Sequence, residues 1–376
     1  MKLVYDFLFI AGMLVASIYM YILYKSKDRG LPKSILIAFF GLLIIVILES
    51  YASIHNITIL LRIGFILTLG VKLALGPLLL LYIQSLFLKD EKVLKNAVIH
   101  LIPFVLFVFF VSLPYEIAVI TEEYFVSYKN VLQEYLMPVK RLSLDVIFLI
   151  YIYISFKTFY RFKRALQCNY SYIEHNNFIW VRYLLIAPLI VIIIDLFFAG
   201  YQLFFGYLGW RTQNTIMLFT SISIFYGAYY GIKQSKVLIP YFLLENDIVT
   251  SPNKELITEQ QESEFLILEK SLIYHMENEK PYLDEELTLN KLAIGIGITD
   301  KKLSALLNQY VKISFYNFIN SYRINEFKKL IASPSYTDYT IEGIAYECGF
   351  KSKASFYRLF KKETGQSPSE FKNSLK

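Results

Sequence analysis

Seven stretches in the first two thirds of the chain are each long and apolar enough to form a membrane-crossing helix, and this limits the fold more than any other feature of the sequence. They run roughly over residues 4–24, 34–53, 57–88, 97–113, 142–160, 183–205 and 214–232. A helix needs ~20 apolar residues to cross a bilayer. Within lipid every backbone polar group must be satisfied inside the segment, which favours helices over open strands. The third stretch is over-long and is expected to tilt or to lie partly at the interface. The first is followed by charge and not by a small-residue cleavage site, so it reads as a span, not a cleaved signal. Hydrophobic residues make up 56% of the chain and charged residues 18%, against ~25% charged in soluble domains. Charge is concentrated in the last third, so a membrane part followed by a soluble part is expected.

Loop lysines and arginines set the expected orientation. Lys25, Lys27, Arg29 and Lys33 follow the first stretch, and Lys89, Lys92 and Lys95 the third. Arg161, Lys163, Arg164 and Arg182 follow the fifth, and Lys233 and Lys236 the seventh. The alternate connections are poorer: residues 55–58 carry no lysine or arginine, residues 206–213 carry only Arg211, and residues 114–141 mix Glu116, Glu122, Glu123 and Glu134 with Lys129, Lys140 and Arg141. The N-terminus is therefore expected outside and the C-terminus in the cytoplasm, in a multi-pass protein of the bacterial inner membrane. Several ionisable residues fall inside the stretches, among them Glu49, Arg62, Lys72, Asp145 and Asp195. Such groups are costly in lipid and usually face the bundle interior. Glu49, Lys72, Asp145 and Asp195 are candidates for a sensing pocket or an ion path. The plainer reading is interhelical ion pairing without a signalling role. The last stretch has no lysine for a retinal Schiff base.

The chemistry-bearing motifs of enzymes are missing. There is no Walker-type glycine loop, no H-E-x-x-H, no G-x-S-x-G and no kinase signature. The two cysteines, Cys168 and Cys348, and the four histidines are scattered, so neither a metal site nor a disulfide framework is expected. No cofactor is implied. The formal net charge of +7 is explained as well by loop lysines as by nucleic acid.

Three blocks are expected: 1–235 spanning the membrane, 236–278 a linker with a helix beside the next domain, and 279–376 a soluble domain. Residues 245–261 are polar and read as a tether. From Ser263 to Glu279, Phe265, Leu266, Leu268, Leu272, Ile273 and Met276 recur at helical spacing, and Pro281 closes the helix. That helix is expected to pack on the following domain or to pair with a second copy of itself.

The last third contains an internal repeat. Leu289, Leu292, Ala293, Gly297 and Ile298 return 52 residues later as Ile341, Ile344, Ala345, Gly349 and Phe350. This spacing suits a helix-turn-helix. The apolar pair faces the core, the alanine lets a second helix cross closely, and the glycine takes the positive φ of the turn. A second helix follows each turn, with Leu303, Leu306 and Leu307 on one face in the first copy and Phe356, Leu359 and Phe360 in the second. Thr288, Thr299, Thr340 and Ser352 are expected N-caps. Ser367, Pro368 and Glu370 read as a capping box. A helix over 315–331, with Phe318, Ile319, Tyr322, Phe327 and Leu330 inward, is expected to hold the two units ~34 Å apart, the spacing of successive major-groove faces. Residues offered to DNA are Thr299, Lys301, Lys302 and Ser304 in the first unit, and Lys351, Ser352, Lys353, Ser355, Arg358 and Lys361 in the second. Between 351 and 376 there are seven lysines or arginines against two glutamates, which favours an anionic partner for the second unit.

The stretch from about Glu279 to Lys376 resembles the DNA-binding domain of the AraC/XylS family of transcription regulators. The likeness rests on the run from Leu287 to Ala293, on Asn317 to Ile324, on Ile344 to Ser352, on Phe356 to Gly365 and on Ser367 to Phe371. It implies an all-α domain of seven helices that reads two groove segments, with frequent dimerisation. Ala305 stands where many members have arginine, so the first recognition helix is expected to contribute less. The seven-span part is similar in architecture to membrane-anchored members. The fold expected is thus all-α, a seven-helix membrane bundle followed by two helix-turn-helix units joined by a long helix. The expected partners are double-stranded DNA, the lipid bilayer, a second copy in a homodimer, and a signal ligand or protein. The expected function is that of a membrane-tethered, sequence-specific transcription regulator whose membrane part senses a signal; the alternative is a transporter or channel with a regulatory tail.

Overall fold

The structure, a computed structural model, describes residues 2–26, 30–120, 137–171, 176–206, 212–232 and 259–375. The connection 121–136, Lys27 and Arg29, Arg211, Lys233 and Lys236, and the tether up to residue 258 lie outside the described residues. Among the described residues the chain is all-α; the one β-type feature is an isolated antiparallel bridge between Tyr170 and Thr288. The chain divides into two compact units, residues 1–159 with 176–244, and residues 160–175 with 245–376. The second unit therefore takes in a short piece of chain, 160–175, that precedes it by many residues.

The first unit contains α1 (Lys2–Lys25), α2 (Leu31–His55), α3 (Thr58–Thr68), α4 (Lys72–Ser85), α5 (Asp90–Phe107), α6 (Leu113–Ile120), most of α7 (Met137–Asn169), α8 (Asn176–Phe205) and α9 (Thr212–Ile232). A π-turn, Val108–Ser112, joins α5 to α6. Among the described residues five helices are long and apolar enough on their own to cross a membrane, and the bent pair α3–α4 makes a sixth if counted as one span. The seventh expected stretch is helical as α9 but is not among them. Its Thr220, Ser221 and Ser223 hydroxyls donate to carbonyls of the same helix. The over-long third stretch is two helices meeting at 56°. The break falls at Gly70, where a Cβ would lie 2.4 Å from the Phe107 ring, so the chain passes that ring closely. After it, α4 is buried throughout Ala74–Ile83. Its all-round apolarity suits a helix enclosed by others. On the peripheral helices the outward faces are apolar too, with Phe7, Leu14, Ile99, Phe110, Ile193 and Phe204 exposed.

The second unit contains α10 (Glu259–Asn278), α11 (Leu289–Gly295), α12 (Asp300–Ala305), α13 (Phe315–Ile331), α14 (Ile341–Glu347), α15 (Lys353–Thr364) and α16 (Pro368–Ser374). It has two cores. The first joins Leu289, Leu292, Ala293, Leu303, Leu306 and Leu307 with Phe265, Leu272 and Met276 of α10. Helix α10 thus packs on the domain, with Ile267 and Tyr274 left exposed. The second joins Ile344, Ala345, Phe350, Phe356, Leu359 and Phe360. Helix α13 serves both cores, with Phe315, Phe318 and Ile319 in the first and Tyr316, Ile324, Phe327 and Ile331 in the second. In the second core the rings of Phe327 and Phe356 lie 4.6 Å apart, and those of Phe327 and Phe360 lie 5.4 Å apart edge-on. Each buried phenylalanine contributes roughly 1.5–3 kcal/mol.

Candidate functional site

The two helix-turn-helix turns repeat nearly atom for atom. In the first, the Ile298 N–H donates to the Ala293 carbonyl at 3.0 Å and the Gly297 N–H to that of Ile294 at 3.1 Å. In the second, the Phe350 N–H donates to the Ala345 carbonyl at 3.1 Å and the Gly349 N–H to that of Tyr346 at 2.9 Å. Gly297 and Gly349 have φ of +73° and +83°, the left-handed region that glycine occupies without a Cβ penalty. Each helix start is closed by its expected cap. Thr288 accepts from the Lys291 N–H, Thr299 from Lys302, Thr340 from Gly343 and Ser352 from Ser355. Ser367 and Glu370 form the reciprocal capping box.

The second helices of the two copies differ. Helix α15 is a regular α-helix of 12 residues ended by Gly365 in the left-handed conformation. Helix α12 has only 6 residues and opens into a π-turn over Leu306–Tyr310, where the Val311 N–H reaches back to the Leu306 carbonyl. The wider turn keeps both Leu306 and Leu307 in the core.

Two of the side chains expected to meet DNA point inward. Ser304 is 1% exposed and its backbone carbonyl and hydroxyl both accept from the Asn308 amide, so it is not on the solvent face. Ser355 is buried beneath its cap, with its N–H on Ser352 Oγ. Helical spacing marks a face only to within one residue, and these serines sit at its edge. Thr299, Lys301, Lys351, Lys353 and Lys361 are exposed, and Lys302, Ser352 and Arg358 half-buried. Thr299 and Ser352 spend one acceptor on capping.

The basic side chains have acidic neighbours within the unit. Lys302 pairs with Glu264, Lys351 with Glu286 at 2.9 Å, and Lys353 with Glu342 at 2.6 Å. Hydrogen bonding from Lys353 holds the Glu342 carboxyl below the usual carboxylate range. These pairs are exposed or half-buried at the surface, where water screens them and they add little to stability. Arg358 donates from Nη2 to the Tyr316 hydroxyl at 3.0 Å, which fixes its direction.

Behind these faces lies a polar knot not evident in the sequence. Arg323 on α13 is 1% exposed. Its Nε donates to the Tyr282 carbonyl at 2.7 Å and its Nη2 to the Asp284 carbonyl at 2.7 Å. Burial lowers its pKa to about 10, so it stays charged at neutral pH. The same Nη2 reaches Ser171 Oγ at 3.3 Å. Ser171 donates to the Leu287 carbonyl at 2.7 Å, and Asn320 Nδ2 donates to the Ser171 carbonyl at 3.0 Å. Cys168 contacts Asn308 at 3.6 Å. The segment 168–171 at and just past the end of α7 is therefore stitched into the second unit beside the first helix-turn-helix. The one sequence clue was that Arg323 and Asn320 fall on the inward face of a helix.

Both cysteines are buried, and burial pushes the Cys348 thiol up to about 12. In the full chain both should alkylate slowly. Ser171→Ala removes the hydrogen bonds to the Leu287 carbonyl and from Arg323, together about 1–2 kcal/mol, and should speed Cys168 labelling ~fivefold or more while leaving Cys348 unchanged. Mass spectrometry of each cysteine reads this directly; identical rates for Cys168 with and without the substitution would count against the stitch.

In the first unit the ionisable residues cluster. Lys72 of α4 forms ion pairs with both Asp145 of α7 and Asp195 of α8. Arg141 joins them, its Nε donating to Asp195 at 2.8 Å and its Nη1 to Gln202 at 3.2 Å. Asp145 is 0% exposed. Glu49, with Thr68 hydrogen-bonded to it, lines the same cavity. Arg62 lies apart, 3.9 Å from Glu116. The fifth apolar stretch starts at residue 142, so the sequence alone places Lys140 and Arg141 in the preceding loop. Helix α7 begins at Met137, which puts Arg141 one turn from Asp145 on one face. Among the described residues no group of three or more His, Cys, Asp and Glu is arranged to hold a metal ion.

Residues 292–374 match the family described as a helix-turn-helix domain. The C-terminal region is a helix-turn-helix domain of the AraC type. An uncharacterized HTH-type transcriptional regulator of Staphylococcus aureus strain COL is 35% identical over 91 residues, covering 24% of this chain and 12% of the relative. The counterpart in strain MRSA252 has the same identity and coverage. The uncharacterized HTH-type transcriptional regulator YtdP of Bacillus subtilis strain 168 is 25% identical over 129 residues, or 34% of this chain and 16% of the relative. The chain thus spans only a small part of the length of these relatives. No solved structure matches.

Proposed function

We propose that this chain is a bacterial transcription regulator held in the cytoplasmic membrane by its apolar helices, with the AraC-type domain reading double-stranded DNA in the cytoplasm. The observation that carries the reading is the duplicated turn. Two matching Ala-to-Gly bends each present a second helix, and α13 sits in both cores and so fixes their separation. Helix α15, regular and basic, supplies base contacts through Lys353 and Arg358, and Lys351 and Lys361 meet phosphate. Helix α12 offers Thr299, Lys301 and Lys302. Its short, widened form agrees with a weaker share of the recognition.

The apolar helices support membrane tethering. The stitching of Ser171 to the second unit supports a shared side for the connection after the fifth stretch and the C-terminal domain, as an odd number of spans requires. Helix α7 carries Arg141 and Asp145 near one end and leads into Ser171 at the other. A signal that shifts α7 would pull on the stitch, and the sensing role of the membrane part rests on this continuity. No catalysis enters this reading.

Arg358→Ala tests the assignment. In detergent-solubilised full chain it should relax specificity at one base pair by ~1–3 kcal/mol without changing the thermal midpoint. An unchanged binding motif would remove Arg358 from the readout. One observation favours the alternative of a transporter with a regulatory tail, namely the Lys72–Asp145–Asp195 cluster. Substrate flux into vesicles, lost in Asp195→Asn, would support that alternative.

A further inference from the structure

Two connected cavities meet at the charge cluster. The larger, about 270 Å³, is lined by Glu49, Thr68, Lys72, Lys140, Arg141 and Asp195. The smaller, about 110 Å³, is bounded by Phe39, Phe40, Leu43, Phe148, Leu184 and Ile224 among others. Lys72, Asp195, Val46, Val71, Ile216 and Met217 belong to both walls. Together they approach the size of a small-molecule site, ~300–1,000 Å³.

Position along the helices orders the two. Glu49 is late in α2, Lys140 and Arg141 early in α7, Asp195 late in α8, and Ile216 early in α9. All lie at the helix ends that the proposed topology places outside. Phe39 lies earlier in α2, Phe148 later in α7, Leu184 early in α8, and Ile224 later in α9, so the apolar chamber lies deeper. The site has a polar mouth toward the exterior and a greasy floor toward the bilayer centre.

Charge pairing within the mouth is uneven. Both aspartates are taken up by Lys72 and Arg141. Lys140 lines the same cavity, and the carboxylate that offsets its charge, Glu49 on the same wall, lies beyond ion-pair distance of it. In a site walled by apolar side chains, a cation with no contacting carboxylate gains a charge-assisted hydrogen bond from an anion.

We infer that this cavity binds an amphiphile with an anionic head, a carboxylate or phosphate held by Lys140 and its tail in the apolar chamber. This rests on the proposed sensing role and supplies its ligand class. Head and tail are recognised by different walls, so neither a short anion nor a neutral alkyl chain satisfies the site. The anion source, a free acid or a membrane lipid, is left to the choice of probe.

The test uses full chain in neutral detergent and measures saturable binding of octanoate and of lysophosphatidate, with acetate and octanol as single-feature controls. Duplex binding is measured in the same sample. The expected result is saturable binding of at least one anionic amphiphile, weakened ~tenfold or more by Lys140→Ala, restored by Lys140→Arg, and weakened by Leu43→Trp, which fills the chamber. Octanoate binding identifies a free acid as a sufficient source; lysophosphatidate binding alone identifies a lipid headgroup. Folded wild-type protein that binds its duplex but neither probe overturns the ligand inference and spares the regulator reading. Binding unaffected by Lys140→Ala also overturns it. Absence of specific duplex binding, with amphiphile binding intact, overturns the regulator reading alone.

Discussion

Gly349→Ala is expected to destabilise the C-terminal unit by roughly 2–5 kcal/mol, combining left-handed strain with overpacking. Gly349 has φ +83°, and a Cβ there would lie 2.5 Å from the Tyr282 carbonyl oxygen and 2.8 Å from that of Leu283. Both are backbone atoms, and that of Tyr282 is held in turn by Arg323, so neither yields cheaply. Gly297 is the internal control. Its φ is +73°, but a Cβ there meets nothing within 4 Å, so Gly297→Ala should cost only the ~1–2 kcal/mol of left-handed strain. The two glycines are equivalent in the repeat and unequal in their surroundings. Urea titration of the full chain, followed by alkylation of the neighbouring Cys348, measures both. Equal shifts, or a larger one at Gly297, would contradict the described packing.

Arg323→Met should cost about 2–4 kcal/mol. Methionine fills much of the space but leaves the Tyr282 and Asp284 carbonyls without donors, each such loss costing ~1–3 kcal/mol. Removing a buried charge offsets part of this, which is why the figure is not larger. The distinguishing sign is where the chain loosens. Arg323 holds Ser171 on one side and the loop before the first helix-turn-helix on the other. Both cysteines should therefore label faster in Arg323→Met, whereas Ser171→Ala accelerates Cys168 alone. Arg323→Lys should fall between wild type and methionine, since one ammonium cannot reproduce the guanidinium fork. Unchanged labelling of Cys168 in Arg323→Met would separate the arginine from the stitch.

The parts of the domain that were legible in the sequence are those written locally. Caps, turn glycines and the small residue before each turn depend on neighbours within a few positions, so Thr288, Thr340, Gly297 and Gly349 stand where the pattern put them. Helix α13 was legible end to end because Ser314 caps it and its apolar spacing is unbroken. What depends on distant chain was not. Nothing near Ser171 announces that Leu287, Asn320 and Arg323 will close on it. The burial of Ser304 and Ser355 follows from which way each short helix is rotated, and single-residue rotation is below what spacing resolves. In the first unit, Lys72, Asp145 and Asp195 were visible as charges in apolar stretches. Their mutual pairing, and the arrival of Arg141, required knowing that α7 starts a turn earlier. Glu116, which the apolar pattern puts in a loop, is buried near Arg62 for a similar reason, since α6 extends past the expected boundary.

The account turns on whether the two bends present a pair of DNA-reading helices. Selection of bound sequences from random duplexes by the intact, detergent-solubilised chain tests this most directly. The result anticipated is a two-part motif with centres ~10–10.5 base pairs apart. The part read by α15 should be the more sharply defined, and affinity should fall steeply as salt rises. Recovery of duplexes with no enriched sequence, at any salt, would contradict it.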